Sequence, residues 1–120
     1  MDIATMLEQV KAHPDFSKAG MILCHNGVVR EDTREGAPVT GLTIQVDHER
    51  MNQIVREQKA KPGIVEILVH IEEGKVLQVG DDVMYLVVAG DIRERVIETL
   101  ADTLNLIKTQ ATRKQQFLKE

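Results

Sequence analysis

Residues 83 to 88 form an uninterrupted apolar run, which follows a Gly80-Asp81 turn. A strand that is apolar at every position suits the centre of a sheet, where both of its faces are buried. We therefore predict a central strand here. The spacing of apolar residues in the other segments predicts which of them are strands and which are helices.

Three other segments carry strand patterns. Met21 to Cys24 is continuously apolar and leads on to Arg30, consistent with a buried strand. Between Gly41 and Asp47, apolar and polar residues alternate strictly, which predicts a half-buried strand. From Ile64 to Ile71 the pattern places one set of apolar residues on a shared face: Val65, Ile67, Val69 and Ile71. Residues 31 to 37 have few apolar members and are predicted to form an exposed loop.

Two short helices are predicted from apolar residues at helical spacing. The first carries Ile3, Met6 and Val10, and its pattern ends at Pro14. The second begins after Asp47, whose carboxylate is expected to cap it, and stops at Pro62-Gly63.

The longest helical pattern lies near the end of the chain. Asp91, with Glu94 three residues later, predicts a capped start. The apolar stripe that follows predicts a helix reaching at least Ala111, as the last element of the chain.

The order of these elements predicts the fold class. Strands and helices do not alternate regularly as in a doubly wound sheet, so we predict an α+β domain with a largely antiparallel sheet and a long C-terminal helix. With 120 residues and 42% hydrophobic content, residues 1–120 are expected to form a single domain.

Charge and composition argue against several functional classes. The net charge of -4 predicts no nucleic-acid partner. The single Cys24 excludes a disulfide framework within the chain, and no leader or long apolar run is present, so we expect a cytoplasmic protein without a membrane anchor. Cys24, His25 and His70 lack the spacing of a zinc site, and no phosphate-loop glycine pattern occurs. No metal and no cofactor are therefore expected.

The residues from Gly80 to Thr109 resemble, without a gap, the large subunit of molybdopterin synthase, the MoaE family. In that family a Gly-Asp turn and an apolar strand lead to Ser-x-His-Arg and a long helix that ends in a lysine. The matching parts here are Gly80-Asp81, residues 83–88, Gly90-Asp91-Ile92-Arg93 and Lys108. Upstream, the residues from His25 to Arg30 are similar to the family's Phe-x-Gly-x-Val-Arg. The resemblance extends from Gly20 to Glu120.

The resemblance implies an α/β hammerhead fold and a homodimer flanked by small ubiquitin-like sulfur carriers. The carrier's C-terminal Gly-Gly thiocarboxylate would deliver sulfur to cyclic pyranopterin monophosphate, the pterin phosphate substrate. Lys108 would be the principal catalytic lysine. The family's second lysine lies seven residues further on, which is Gln115 here, one position after Lys114. The implied catalytic residues are Lys108 and Lys114, and the implied substrate-binding residues are Val29, Arg30, Arg93 and Gln115.

The chemistry of this reaction explains why such residues are needed. A thiocarboxylate and a cyclic phosphate are both anions, so bringing them together requires fixed cations, best supplied by arginine. A partly desolvated lysine among other cations has a lowered pKa and serves as a nucleophile or a base. Arg93 and Lys108 are fifteen positions apart on one predicted helix, which is about 22 Å along its axis. If both residues serve one pocket, Arg93 must therefore come from a second subunit.

Two features favour a different function for the same fold. Ile92 replaces the histidine of Ser-x-His-Arg, and Gln115 replaces the second lysine. A non-catalytic dimer that binds an anionic ligand or a carrier protein is the alternative. Structural roles also stay open, because Arg30 has acidic neighbours in Glu31 and Asp32 and because Lys108 suits a helix C-terminus.

Overall fold

The chain folds into six strands and three α-helices, and the computed structural model describes all residues from 1 to 120. In chain order they are α1 (Ile3–Lys11), β1 (Met21–Val28), β2 (Val39–Val46), α2 (His48–Lys59), β3 (Ile64–Ile71), β4 (Leu77–Gln78), β5 (Asp82–Gly90), α3 (Arg93–Leu106) and β6 (Thr112–Leu118). A 3-10 turn (Phe16–Lys18) follows α1, and a π-helical turn (Ile107–Ala111) joins α3 to β6. None of the helices has the length and apolar character needed to cross a membrane.

Strand β5 is the centre of an antiparallel sheet with the order β1-β5-β3, which confirms the central strand predicted from its apolar run. Its side chains alternate between two clusters. Val87 and Ala89 pack with Met6 and Val10 of α1. The other face contributes to the main core, whose members include Leu86, Val88, Ile54 of α2 and Val96 of α3. Both faces of the sheet are therefore covered.

The second sheet is also antiparallel and has the order β4-β2-β6. Leu42 and Ile44 of β2 are buried in the main core, whereas Gln45 is exposed, as the alternation predicted. Two antiparallel sheets with helices packed on them confirm the α+β class.

A register shift in β3 makes one detail of its predicted face wrong. The shift lies between Ile64 and Glu66. As a result Val65 packs with the α1 cluster, whereas Ile67 and Ile71 are buried in the main core. An extra residue in one strand sends the side chains before it to the opposite face, which simple alternation does not reveal.

The predicted caps of the two longer helices have different outcomes. Asp47 caps α2, since its Oδ1 accepts a hydrogen bond from the Arg50 backbone N–H at 3.0 Å. Asp91 does not cap α3, whose N-cap residue is Ile92. The Asp91 backbone N–H donates to the Gly63 carbonyl at 2.9 Å, and its carboxylate accepts from the Ile92 N–H and from Arg95. These bonds hold Asp91 beside the start of β3, so the predicted capping box is wrong.

The end of the chain also differs from the prediction. Helical backbone does continue from α3 to Ala111, through the π-helical turn. However, β6 follows it, so the helix is not the last element. β6 pairs with β2 residue for residue, from Val46 opposite Thr112 to Gly41 opposite Phe117. This pairing satisfies backbone groups that an edge of β2 would otherwise expose.

Candidate active site

A cavity of about 470 Å³ lies where β1, β2, β6 and the π-helical turn come together. Part of its wall is apolar and includes Leu42, Ile44 and Met84. The polar part consists mainly of His25 of β1 and three cationic side chains: Arg34, Lys108 and Lys114. It combines an apolar lining with a few convergent charged groups, as small-molecule sites commonly do.

A second cavity of about 450 Å³ adjoins the first and shares Arg34, Lys108 and Lys114 with it. Arg30 belongs to its lining as well. We refer to Arg30, Arg34, Lys108 and Lys114 as the cation cluster. None of the four forms an ion pair with a carboxylate of the chain. Two carboxylates, Asp32 and Glu35, also line the second cavity, but the cations outnumber them. In a protein with a net charge of -4, this local excess of positive charge favours an anionic ligand.

The π-helical turn fixes the position of Lys108. Ile107 and Ala111 are buried, while Lys108 between them is exposed towards both cavities. The turn is tied at its end, because Thr112 Oγ1 donates to the Ile107 carbonyl at 3.2 Å and the Asp47 N–H donates to the Ala111 carbonyl at 2.7 Å. π-helical turns are rare and occur frequently at functional sites.

Strand β6 brings Lys114 to the same place as Lys108. Side chains alternate between the faces of a strand, and Thr112, Lys114 and Gln116 point to the cavities. Gln115 is exposed, lies opposite Thr43 in the sheet and lines neither cavity. Lys114 therefore lies beside Lys108, although it is Gln115 that aligns with the family's second lysine.

The other predicted substrate-binding residues lie in different environments. Arg30 lines the second cavity. Val29 is 2% exposed and packs in the main core, and its backbone N–H and carbonyl bond to Asp81 and Gly80. Arg93 has a side chain that is 76% exposed and lies 3.6 Å from Glu94, outside both cavities. One chain thus brings Arg30, Lys108 and Lys114 together and leaves out Val29, Arg93 and Gln115.

His25 is a titratable group in the first cavity that the sequence did not single out as catalytic. Its Nε2 is buried and has no hydrogen-bond partner. Burial lowers the pKa of His25 below its ordinary value, and the nearby positive charge of Lys108 lowers it further. The imidazole is therefore kept neutral next to a cation, and a buried polar atom without a partner is unfavourable until something bonds to it.

Arg34 is the other cavity residue missing from the prediction. The sequence placed it in an exposed loop, and its side chain is indeed exposed, but it faces both cavities. The only signal in the sequence was its position, four residues after Arg30 in a loop that connects two predicted strands.

Comparison with known proteins gives consistent matches. A family model described as MoaE protein matches residues 1–110. A curated relative, a probable molybdopterin synthase of Haloferax volcanii, is 29% identical over 113 residues, which are 90% of this chain and 43% of the relative. The chain thus spans less than half the length of that relative.

Solved structures share the fold. A molybdopterin synthase from Staphylococcus aureus has a TM-score of 0.77 at 21% identity, covering 94% of this chain and 85% of its own. A molybdopterin cofactor biosynthesis protein E from Burkholderia multivorans has a TM-score of 0.76 at 20% identity, covering 98% and 84%. A complex of subunits 1 and 2 of molybdopterin-converting factor from Helicobacter pylori gives 0.72 at 16% identity, covering 98% and 80%.

Proposed function

Because this chain belongs to the MoaE protein family, we propose that it acts as the large, catalytic subunit of a molybdopterin synthase. In this role it transfers sulfur from a thiocarboxylated carrier to cyclic pyranopterin monophosphate, a step of molybdenum cofactor biosynthesis. The chain would then be a sulfurtransferase that needs no cofactor of its own.

The observation that carries the proposal is the cation cluster beside an apolar cavity. Both reaction partners are anionic, and their mutual repulsion must be offset before sulfur can move between them. Lys108 and Lys114 line both cavities, and Arg30 lines the second. Fixed cations in a partly desolvated site stabilise such charges more strongly than water does, because they are already oriented before the reaction.

The atoms of the reaction define what the site must do. A thiocarboxylate that gives up its sulfur ends as a carboxylate, so its acyl carbon exchanges a C–S bond for a C–O bond, and water supplies the oxygen. Negative charge develops on the acyl oxygen during that exchange. In the proposed mechanism Lys108 stabilises this charge through its ammonium group. A deprotonated Lys108 would act instead as the nucleophile or base of the site.

The proposed partner is a small ubiquitin-like carrier with a Gly-Gly C-terminus. The Helicobacter pylori structure contains subunits 1 and 2 together, which supports a small-subunit partner for a chain of the same fold. We also propose a homodimer. Arg93 lies outside both cavities of its own chain, so if it binds substrate, as the resemblance implies, it does so in the site of another chain.

A specific observation favours the second candidate, a non-catalytic dimer that binds an anionic ligand or a carrier. Ile92 occupies the position of the family's histidine; it is an apolar residue and is 48% exposed. A dimer of this kind would bind the carrier through the same cation cluster but yield no product.

Reconstitution separates the two candidates. The protein is mixed with thiocarboxylated carrier and cyclic pyranopterin monophosphate, and molybdopterin is measured alongside carrier binding. We expect product from the wild-type protein. Carrier binding without product, while an active synthase works in parallel, would favour the non-catalytic dimer.

Lys108→Ala provides the mutational test of the mechanism. We expect it to lower the rate of product formation by about a hundredfold or more, the effect of losing one oriented charge-stabilising group, without a change in melting temperature. The matched control is Lys11→Ala, because Lys11 is an exposed lysine of α1, on the opposite face of the β1-β5-β3 sheet. Unchanged turnover in Lys108→Ala would remove this residue from the mechanism.

A further inference from the structure

The loop between β1 and β2 is closed by its own hydrogen bonds. The Thr33 N–H donates to the Ala37 carbonyl at 2.8 Å, and the Ala37 N–H donates to Thr33 Oγ1 at 3.0 Å. Gly36 has a φ of +90°, a backbone conformation that favours glycine, and its N–H donates to the Thr33 carbonyl. Thr33 is 8% exposed. The loop is therefore a defined turn anchored on Thr33.

Arg30 is bonded to this loop. Its Nε and Nη2 both donate to the Asp32 carbonyl at 3.3 Å, and Nη2 also donates to the Thr33 carbonyl at 3.1 Å. One side of the guanidinium is thus occupied by the backbone that immediately precedes Arg34. These bonds give Arg30 a structural role even when no ligand is bound: it holds the loop.

Arg34 is in the opposite situation. It forms no ion pair, and its side chain lines both cavities together with Lys108 and Lys114. Its planar set of donors matches the oxygens of a phosphate. The residue that the loop presents to the cavities is therefore an arginine free to bind a ligand.

The two cavities differ in polarity, which indicates where a phosphate would lie. The first contains six hydrophobic residues among its 13 and suits a ring or an uncharged peptide segment. The second contains only two among its nine. All four members of the cation cluster line it together with two carboxylates, Asp32 and Glu35, so cations outnumber carboxylates there by two. The polar end of an anionic substrate fits the second cavity.

We propose that Arg34 binds the phosphate group of the pterin substrate in the second cavity, and that Arg30 is a positioning residue that holds the loop from which Arg34 extends. That this phosphate belongs to the pterin substrate rests on the proposed function. The carboxylate end of a carrier would instead meet Lys108 from the more apolar first cavity.

Binding of inorganic phosphate to the isolated protein tests this at constant ionic strength, since exposed charges are screened by salt. Arg34→Gln should weaken phosphate binding about tenfold or more, as expected for the loss of charge-assisted hydrogen bonds. Arg56→Gln makes the same change in charge at an exposed position of α2 and should have no effect. Equal affinities in Arg34→Gln and Arg56→Gln would overturn the assignment.

Hydrogen exchange separates positioning from binding. Arg30→Gln should weaken phosphate binding and also speed exchange of the Thr33 and Ala37 amides, whereas Arg34→Gln should leave that exchange unchanged. If Arg30→Gln weakens binding with no change in exchange, Arg30 contacts the ligand itself and the proposed positioning role is wrong.

A peptide ending in Gly-Gly distinguishes the two possible anions. Its binding should be weakened much more by Lys108→Ala than by Arg34→Gln, although Arg34 also lines the first cavity. A loss of peptide binding in Arg34→Gln with phosphate binding intact would overturn the phosphate assignment. Phosphate binding that depends on Arg34 in a protein that makes no molybdopterin would sink the proposed function and leave the anion site in place.

Discussion

At the residue scale, the candidate site is a set of cations around one neutral base. His25 and Lys108 line the same cavity, and the positive charge of Lys108 acts on the pKa of His25. Burial is the larger cause of the lowered pKa of His25, and Lys108 adds to it. His25 is therefore a sensor of whether Lys108 carries its charge.

Lys108→Met should raise the pKa of His25 towards its ordinary value of 6.5 without reaching it, because the burial remains. The His25 ring signals in an NMR titration measure this. Since the folded pKa is lowered, the stability that neutral His25 contributes is complete above pH 6.5 and is lost as the pH falls through the folded pKa. Lys108→Met should show less of this acid-dependent loss.

Lys114→Met serves as the control, because Lys114 lines the same cavity but is not a cause of the shift at His25. If the pKa of His25 rises equally in both variants, the total positive charge of the cavity, rather than Lys108 in particular, contributes to its lowering.

The sequence predicted part of the residue-level site. Lys108, Lys114 and Arg30 were selected and lie around two adjoining cavities, although their roles stay predictions. Arg34 was missed because the orientation of a loop side chain depends on hydrogen bonds such as those of Thr33, which no periodic pattern reports. Val29 was selected with Arg30, yet adjacent residues of an extended chain point to opposite sides.

At the element scale, the sequence predicted the elements that are fixed by burial of apolar residues. It missed the strand that is fixed by pairing with another strand. Strand β5 and the extent of the last helix follow from their apolar patterns. Strand β6 has mostly exposed polar residues and no clear alternation, so its strand conformation depends on pairing with β2. Tertiary context of this kind overrides local preference.

Successive side chains of β6 point to opposite faces of the sheet, which leads to a prediction about Lys114. Lys114→Gln should lower the rate of molybdopterin formation about tenfold or more, because one cation leaves the site. Adding Gln115→Lys to it restores the net charge but places the cation on the opposite face of β6, so the rate should stay low. Initial rates at saturating carrier measure both variants.

The single variant Gln115→Lys is the matched control and should keep the wild-type rate. Recovery of activity in the double variant would contradict the assignment of the two side chains to opposite faces of β6.

At the scale of the whole molecule, the chain is elongated. Its radius of gyration is 15.3 Å and its extents are 52 × 25 × 24 Å. A compact domain of this length would have a radius of gyration of about 14 Å. The α+β class was predictable because it depends on the order of elements, whereas the shape depends on how two sheets are joined. An elongated subunit leaves a large surface for the partners that we propose.

The dimeric site can be tested by complementation between two inactive variants. Lys108→Ala and Arg93→Ala should each be inactive as homodimers, because every site then lacks one cation. A mixed dimer contains one site in which both residues are intact, since Lys108 comes from one subunit and Arg93 from the other.

The mixed dimer is isolated by co-expressing the two variants with different tags and purifying through both tags. We expect roughly half of the wild-type rate, because one of its two sites is complete. A mixed dimer of Lys108→Ala with Lys114→Ala is the control and should stay far below half of the wild-type rate, because both lysines belong to the same chain's cavity and neither site is complete. Equal rates in the control and the first pair, or no activity in the first pair, would contradict a site shared between subunits.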